Sequence, residues 1–378
     1  MNKVYINALS KFLPNNPVSN EEMEEFLGYV NNKPSRSRSI ILRNNKIKTR
    51  YYALDKQGTS THTNAQLSAE AIKGLESNRF RLTDMELLSG GTTSPDLILP
   101  SHTSMVQGEL GIKSVEILSA AGSCNAGMQA FKYAFLSVLA GNTKNAIAFG
   151  SEKLSTWMHA KNFKKESEKW KDLDETPILA FEKDFLRWML SDGAAAALLE
   201  NKPNNDGISL EVEWVDFKSY SNELESCMYA GGTKLKNGSL KPWRDHGVEE
   251  IMDNSLFALR QDVAILGENI VKKGTEFLKE VIEKRNLDTQ DIDYFLPHLS
   301  SEFFRKPMID DFLNNGLHIP ADKWFTNLTR IGNVGSASVY FMMEELFNSG
   351  KLKKGEKILL MVPESARFSY AYSLLTVV

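Results

Sequence analysis

Apolar and polar positions in this chain fall into short strand-like runs, small-residue turns and longer helix-like stretches. Residues 85–88 (MELL) predict a strand that ends in the loop SGGTTSPD. The run VEIL follows, then the small-residue turn SAAGSCNAG. From Asn125 an apolar stretch without proline predicts a buried helix, and Gly141 stands where a helix C-cap belongs. AIAFG predicts the next strand. Further along the same order returns: 294–296, the loop PHLSS, the run WFTNL, the small-residue turn RIGNVGSAS, the helix-like VYFMMEELF, then Gly350 and the strand KILLMV.

An internal duplication of an α/β unit accounts for this repeat economically. The polar run NKPNNDG at 201–207 is the clearest punctuation, so the halves are expected at 1–200 and 206–378. Residues 221–247 form a long polar excursion containing GGTKLKNGSLKPW, the composition of a lid or binding loop. Asp192, in MLSDGAAAALLE, predicts a tight hairpin with a structural role.

Composition narrows the class. Apolar residues make up 42% and charged residues 25% of 378, the balance of a globular protein. A formal net charge of −3 argues against a global nucleic-acid footprint. No apolar run approaches the ~20 residues that span a bilayer. The first residues lack the long apolar core of a signal peptide, so a cytoplasmic location is expected. With Cys124 and Cys227 the only cysteines, no CxxC and scattered histidines, free thiols and no metal site are expected.

Each thiol is therefore core filler or chemistry. Cys124 lies where the predicted helix begins, and unpaired N–H groups and the helix dipole at such a place favour a thiolate. Ala121, Gly122, Ala126 and Gly127 are small and would let a substrate approach the sulfur. A structural cysteine in a strand-to-helix turn is the alternative. His298 ends a strand-like run, where crevice residues of α/β proteins often lie. Asn333 occupies the second-half turn that matches the Cys124 turn. If the halves pack about a pseudo-twofold axis, Cys124, His298 and Asn333 meet in one cleft. The segment 33–50 holds seven Lys/Arg and no acid, a run that phosphate groups could meet or that simply faces solvent.

These segments resemble the ketoacyl–acyl carrier protein synthase III group of the thiolase superfamily. TTSPDLILPSHTSMVQGELG with AAGSCNAGMQA resembles that family's approach to its cysteine. SDGAAAALL is similar to its Gly-Asp-Gly-Ala turn, DYFLPHLSS to its Pro-His-Gln-Ala-Asn motif and IGNVGSASV to its Gly-Asn-Thr-Ser motif. ARFSYAYSLL resembles its closing Gly-rich strand. The resemblance covers nearly the whole chain in order. It implies an α/β, thiolase-like, five-layered αβαβα fold with two duplicated halves, a homodimer, and a catalytic set of Cys124, His298 and Asn333. It further implies an oxyanion hole from the backbone N–H groups of Cys124 and Ala366. Acyl groups would arrive on coenzyme A or on the phosphopantetheine of an acyl carrier protein, with no metal or redox cofactor. Carrier proteins are acidic, so Arg305 and Lys306 are docking candidates.

Departures from the family pattern point away from housekeeping fatty-acid initiation. PHLSS keeps the histidine but not Gln-Ala-Asn, and Ser365-Ala366-Arg367 replaces Gly-Gly-Gly. Specialised lipid-forming members, such as those making dialkylresorcinols or aryl polyenes, are the nearer expectation. Ile98 and Leu99 stand where olefin-forming relatives carry a glutamate base, which favours a decarboxylative condensation. The alternatives are an ester- or amide-forming acyltransferase of the same fold, a hydroxymethylglutaryl-type synthase, or a non-catalytic partner subunit of a heterodimeric synthase.

Overall fold

The computed structural model describes residues 2–35, 37–163 and 185–378. Nine strands form one mixed sheet: β1 (Tyr5–Phe12), β2 (Leu87–Thr92), β3 (Glu116–Ala121), β4 (Asn145–Glu152), β5 (Gly193–Glu200), β6 (Leu210–Ser219), β7 (Tyr294–Pro297), β8 (Lys357–Glu364) and β9 (Ser369–Val377). Their spatial order is β7-β8-β9-β6-β1-β5-β4-β2-β3. Six larger helices flank it: α1 (Asn64–Lys73), α2 (His102–Leu110), α3 (Ala126–Ala140), α4 (Val263–Arg285), α5 (Arg305–Asn314) and α6 (Ser338–Phe347).

The sheet is two copies of one plan. In the first, β1, β5 and β4 pair antiparallel, and β4, β2 and β3 pair parallel. In the second, β6, β9 and β8 pair antiparallel, and β8 and β7 pair parallel. A parallel bridge from Phe295 to Trp324 continues it where the first copy has β3. Within the sheet the copies pair through Tyr5↔Glu211 and Ile6↔Leu210.

Strand alternation builds the layers, because successive side chains point to opposite faces. On β4, Ala146 and Ala148 face the central core while Ile147 and Phe149 face an outer one. On β8, Leu360 and Val362 face the same central core while Leu359 and Met361 face the opposite outer one. The central core is filled by α3 (Met128, Phe131) and α6 (Tyr340, Phe341). α1 and α2 cover one outer face through Ile72 and Val106, and α4 and α5 cover the other through Phe277 and Phe312. The result is five layers, helix–sheet–helix–sheet–helix. Strands buried on both faces read as continuous apolar runs, which is why AAAALL in β5 carries no polar alternation.

Several local expectations need correction. The strand expected at 85–88 begins at Leu87 and runs through Ser89-Gly90-Gly91-Thr92, so SGGT is strand rather than loop. An added Cβ on Gly91 would stand 2.1 Å from the Ala126 carbonyl oxygen, so the glycine serves close packing. WFTNL forms no strand beyond the Trp324 bridge. Asp192 makes no hairpin. It is fully buried, and its carboxylate accepts from the backbone N–H of Leu154 (2.7 Å), Ser155 (2.9 Å) and Ala53 (2.7 Å). Two segments, at Ala53 and at Leu154–Ser155, are thereby tied to the start of β5.

Candidate active site

Cys124 lies in the turn between β3 and α3, with Asn125 at the N-cap position. Gly141 closes α3 in the left-handed conformation, as its sequence position predicted. Two glycines bring the two repeated turns together. A Cβ on Gly127 would come within 2.1 Å of the Ser336 carbonyl oxygen, and one on Gly150 within 2.4 Å of it. Only residues without a side chain allow the Asn333 turn to pack this closely on α3 and β4. The Tyr340 hydroxyl donates to the Gly127 carbonyl at 2.8 Å and holds α6 against α3.

One cavity of about 570 Å³, counting its open mouth, is lined by Cys124, His298 and Asn333 together. Thr93, Ser123, Ser300, Gln261 and Ser365 supply its other polar groups. Leu186, Met189, Leu190, Met228, Leu259 and Ile270 make an apolar wall. Met228 comes from the long excursion and Leu259 from beyond its end, where Met228–Tyr229 pairs with Arg260–Gln261.

The electrostatics differ from the sequence expectation at the sulfur. Burial pushes the Cys124 thiol up to about 12, the Ser123 hydroxyl pulls it down, and the nearby carboxylates Glu364 and Glu152 push it up further. Desolvation therefore outweighs the favourable helix start in the empty site. Cys227 is fully buried, off the cavity, and its thiol is likewise pushed up to about 12 by burial. Both cysteines are free.

His298 follows β7 and is buried, which lowers its pKa to about 4 and keeps the ring neutral. Its Nε2 is buried with no hydrogen-bond partner among the described residues. Asn333 is fixed on three sides. Its backbone N–H donates to Met189 O at 2.9 Å, its carbonyl accepts from Ser191 N at 2.9 Å, and its Oδ1 accepts from Gly335 N at 2.9 Å. The amide nitrogen is the group left for the cavity.

Other expected site residues fall elsewhere. Ser365, not Ala366, lines the cavity. Burial pushes the Glu364 carboxyl up, and the nearby backbone N–H groups of Arg367 and Ala366 draw it down. Arg305 is paired with Glu302 at 2.6 Å and stacks over Trp324, and Lys306 is paired with Asp310 at 2.6 Å. Both charges have an acidic neighbour in their own helical region, and Lys306 remains exposed. In the basic segment, Arg38 donates to Asn20 O and Arg50 is buried against Asn20 and Trp188, so both serve packing; Arg36 lies outside the described residues.

Sequence reasoning missed two buried acids beside the site. Glu152 ends β4 and accepts from Thr93 Oγ1 (2.7 Å), Ser94 Oγ (2.7 Å) and the Ser336 N–H (3.1 Å). It ties the loop after β2 to the Asn333 turn. Glu364 ends β8 and is taken up below. Each is an acid closing an apolar strand, in AFGSE and LLMVPE, a signal by which they could have been found.

Comparison with known proteins places this geometry. Residues 282–368 match the family described as 3-oxoacyl-[acyl-carrier-protein (ACP)] synthase III C terminal. Over 350 residues the chain is 27% identical to a beta-ketoacyl-[acyl-carrier-protein] synthase III of Clostridium perfringens, covering 93% of this chain and 92% of that one. A protein of the same description from Clostridium novyi is 26% identical over 363 residues, covering 96% and 95%. Among solved structures, a tetronic acid condensing enzyme superposes with a TM-score of 0.76 at 19% identity, and covers 99% of both chains. The 3-oxoacyl-[acyl-carrier-protein] synthase III of Aquifex aeolicus does so with a TM-score of 0.69 at 20% identity, again over 99% of both. These superpositions show the fold. Fold and sequence together define an acyltransferase with the thiolase fold. Within that class the chain is a condensing enzyme similar to ketoacyl synthase III. Among the described residues, no helix is long and apolar enough to cross a membrane.

Proposed function

We propose that this protein joins an acyl group carried on Cys124 to a second thioester by a decarboxylative Claisen condensation. The observation that carries the reading is the convergence of three groups on one cavity: a thiol at a helix start, a neutral imidazole with an unpaired Nε2, and an amide whose oxygen is already held.

In the first half-reaction Cys124 attacks an acyl thioester. The C–S bond to the carrier breaks, and the cysteine proton leaves on the released carrier thiol. The Cys124 backbone N–H points into the tetrahedral oxyanion, a contribution on the order of 3 kcal/mol for such a donor. In the second, a malonyl-type thioester loses carbon dioxide. The electron pair moves onto its thioester oxygen, where His298 Nε2–H and the Asn333 amide donate. Bonds to that oxygen strengthen as charge builds, which lowers the barrier rather than merely binding the ground state. The enolate carbon then displaces the acyl group from sulfur, and the thiolate is reprotonated. No proton need pass through His298, which suits a ring that stays neutral.

The apolar wall suits an aliphatic acyl chain. The carrier is coenzyme A or the phosphopantetheine of an acyl carrier protein, the latter in keeping with the names of the Clostridium and Aquifex relatives. The second partner is another copy of this chain. β3 is an edge strand paired on one side only, and Ile117 on it, Tyr133 and Leu136 on α3, and Leu97, Ile98 and Leu99 nearby are exposed. An exposed apolar edge of this kind is normally covered.

Intact-mass spectrometry after incubation with a panel of acyl thioesters tests the reading. The parent should gain one acyl mass, and Cys124→Ala should gain none while Cys227→Ala still does. An adduct of equal yield on Cys124→Ala overturns it.

A further inference from the structure

Glu364 stands where the mechanism above makes no use of it. It is buried at the end of β8, on the side of the strand away from the cavity, while its neighbours Pro363 and Ser365 line the cavity. The Ser369 hydroxyl donates a short hydrogen bond to its carboxylate. Asn125 Nδ2 donates to Ser369 Oγ at 2.9 Å. Asn125 is fully buried, adjoins Cys124 and is the N-cap residue of α3, and its own side chain makes no cap bond. Its Oδ1 is buried without a partner. The side chain is therefore held in place by the single bond to Ser369.

The backbone N–H groups of Arg367 and Ala366 lie near the same carboxyl and favour its charged form, against the burial that raises it. One acid thus holds the nucleophile turn through Ser369 and Asn125 and sits beside the 365–367 turn. We propose that Glu364 is a positioning residue, which through Ser369 and Asn125 fixes the Cys124 turn against the β8–β9 hairpin for attack on the thioester. The inference rests on the acyl-enzyme reading above for its purpose, but its geometry is independent of the substrate.

The charged and titratable groups around this network are few. Cys124 faces Glu364 from the α3 turn, Glu152 faces Cys124 from β4, and His298 lines the same cavity from the loop after β7. Tyr370 is affected by Glu364 from β9, and Arg367, next along the turn, is exposed. Burial raises the Glu364 carboxyl, and in its ionised form its charge opposes the thiolate. Its benefit must be geometric, and the two effects separate experimentally.

The test uses Glu364→Gln, Ser369→Ala and Ser369→Thr in the full chain. Two readouts are taken: acyl loading of Cys124 as a function of thioester concentration, and the pH dependence of Cys124 alkylation by iodoacetamide. Glu364→Gln should load at least tenfold more slowly at saturation with unchanged half-saturation, while its alkylation curve moves to lower pH. Ser369→Ala should lose loading equally with its alkylation curve unmoved, and Ser369→Thr should recover it. Parental loading in both Glu364→Gln and Ser369→Ala, or a Thr variant no better than Ala, overturns the proposal. If the parent itself is not acylated by any thioester, the acyl-enzyme reading fails. The alkylation curve of Glu364→Gln then decides alone: a shift to lower pH supports the contact, and an unmoved curve overturns it.

Discussion

Gly127, in the first turn of α3, packs directly beneath the backbone carbonyl of Ser336, three residues beyond Asn333. An added Cβ would stand 2.1 Å from that oxygen, a separation that real Cβ atoms do not reach. This contact joins the nucleophile helix to the turn that presents the amide. Gly127→Ala should therefore destabilise the protein by about 1–3 kcal/mol, the usual cost of overpacking. It should also slow the second half-reaction, because the neighbour that must shift is backbone. Thermal unfolding and single-turnover rates measured side by side check this. An unchanged melting temperature with full activity would contradict the packing described.

The Cys124 thiol is pushed up to about 12, first by burial, so little thiolate exists in the empty site near neutral pH. Alkylation by iodoacetamide should climb about tenfold per pH unit from roughly pH 7 to 10, without a plateau. Mass mapping of the modified residue at each pH provides the curve. A plateau reached below pH 8 would mean that the helix start, not desolvation, controls the thiol.

His298 and His102 are both buried, and burial lowers each to about 4. A histidine whose folded pKa lies below its unfolded value of about 6.5 binds fewer protons when folded. Stability is then fully present above about 6.5 and falls as pH drops toward 4, by about 1.4 kcal/mol per pH unit for each such group. The second half-reaction should also show no inflection near pH 6.5, since His298 stays neutral there. Urea titrations from about pH 7 to 4.5, with parallel rates, measure both. A rate break near 6.5 that disappears in a His298→Gln variant would show an ordinary titrating histidine.

The exposed edge at β3 predicts a dimer that an introduced charge disrupts. Ile117→Lys should weaken self-association about tenfold or more, as burying an unpaired charge in an apolar interface does. Light scattering across a concentration series reads this directly. A parent that is monomeric at every concentration removes the need for a partner at this edge.

The chain discloses more of the site than of its setting, for physical reasons. Cys124, His298 and Asn333 were legible because each follows a strand-like run or small-residue turn, and because the repeat mapped the turns onto one another. The layered fold was legible through the family resemblance, and apolar runs such as AAAALL and KILLMV fit strands buried on both faces. SGGT was misread because glycine usually marks a turn, whereas Gly91 is required by the close passage of Ala126. Asp-Gly at 192 was misread as a hairpin because its backbone partners, Ala53 and Leu154, are distant in sequence. The pairing of Arg305 with Glu302 and of Lys306 with Asp310 was not legible in the sequence. Such pairings depend on side-chain direction, which spacing alone does not carry.

The central claim is that Asn333 and His298 act on an enolate rather than on the loading step. The most direct measurement is single-turnover product formation from preloaded acyl-Cys124 mixed with a malonyl-type thioester, with Asn333→Ala beside the parent. Asn333→Ala should acylate normally yet form carbon–carbon product roughly a hundredfold more slowly, the scale of losing one preorganised donor. Turnover of the preloaded variant at the parent's rate would contradict the account and favour an ester- or amide-forming transfer in which no enolate arises.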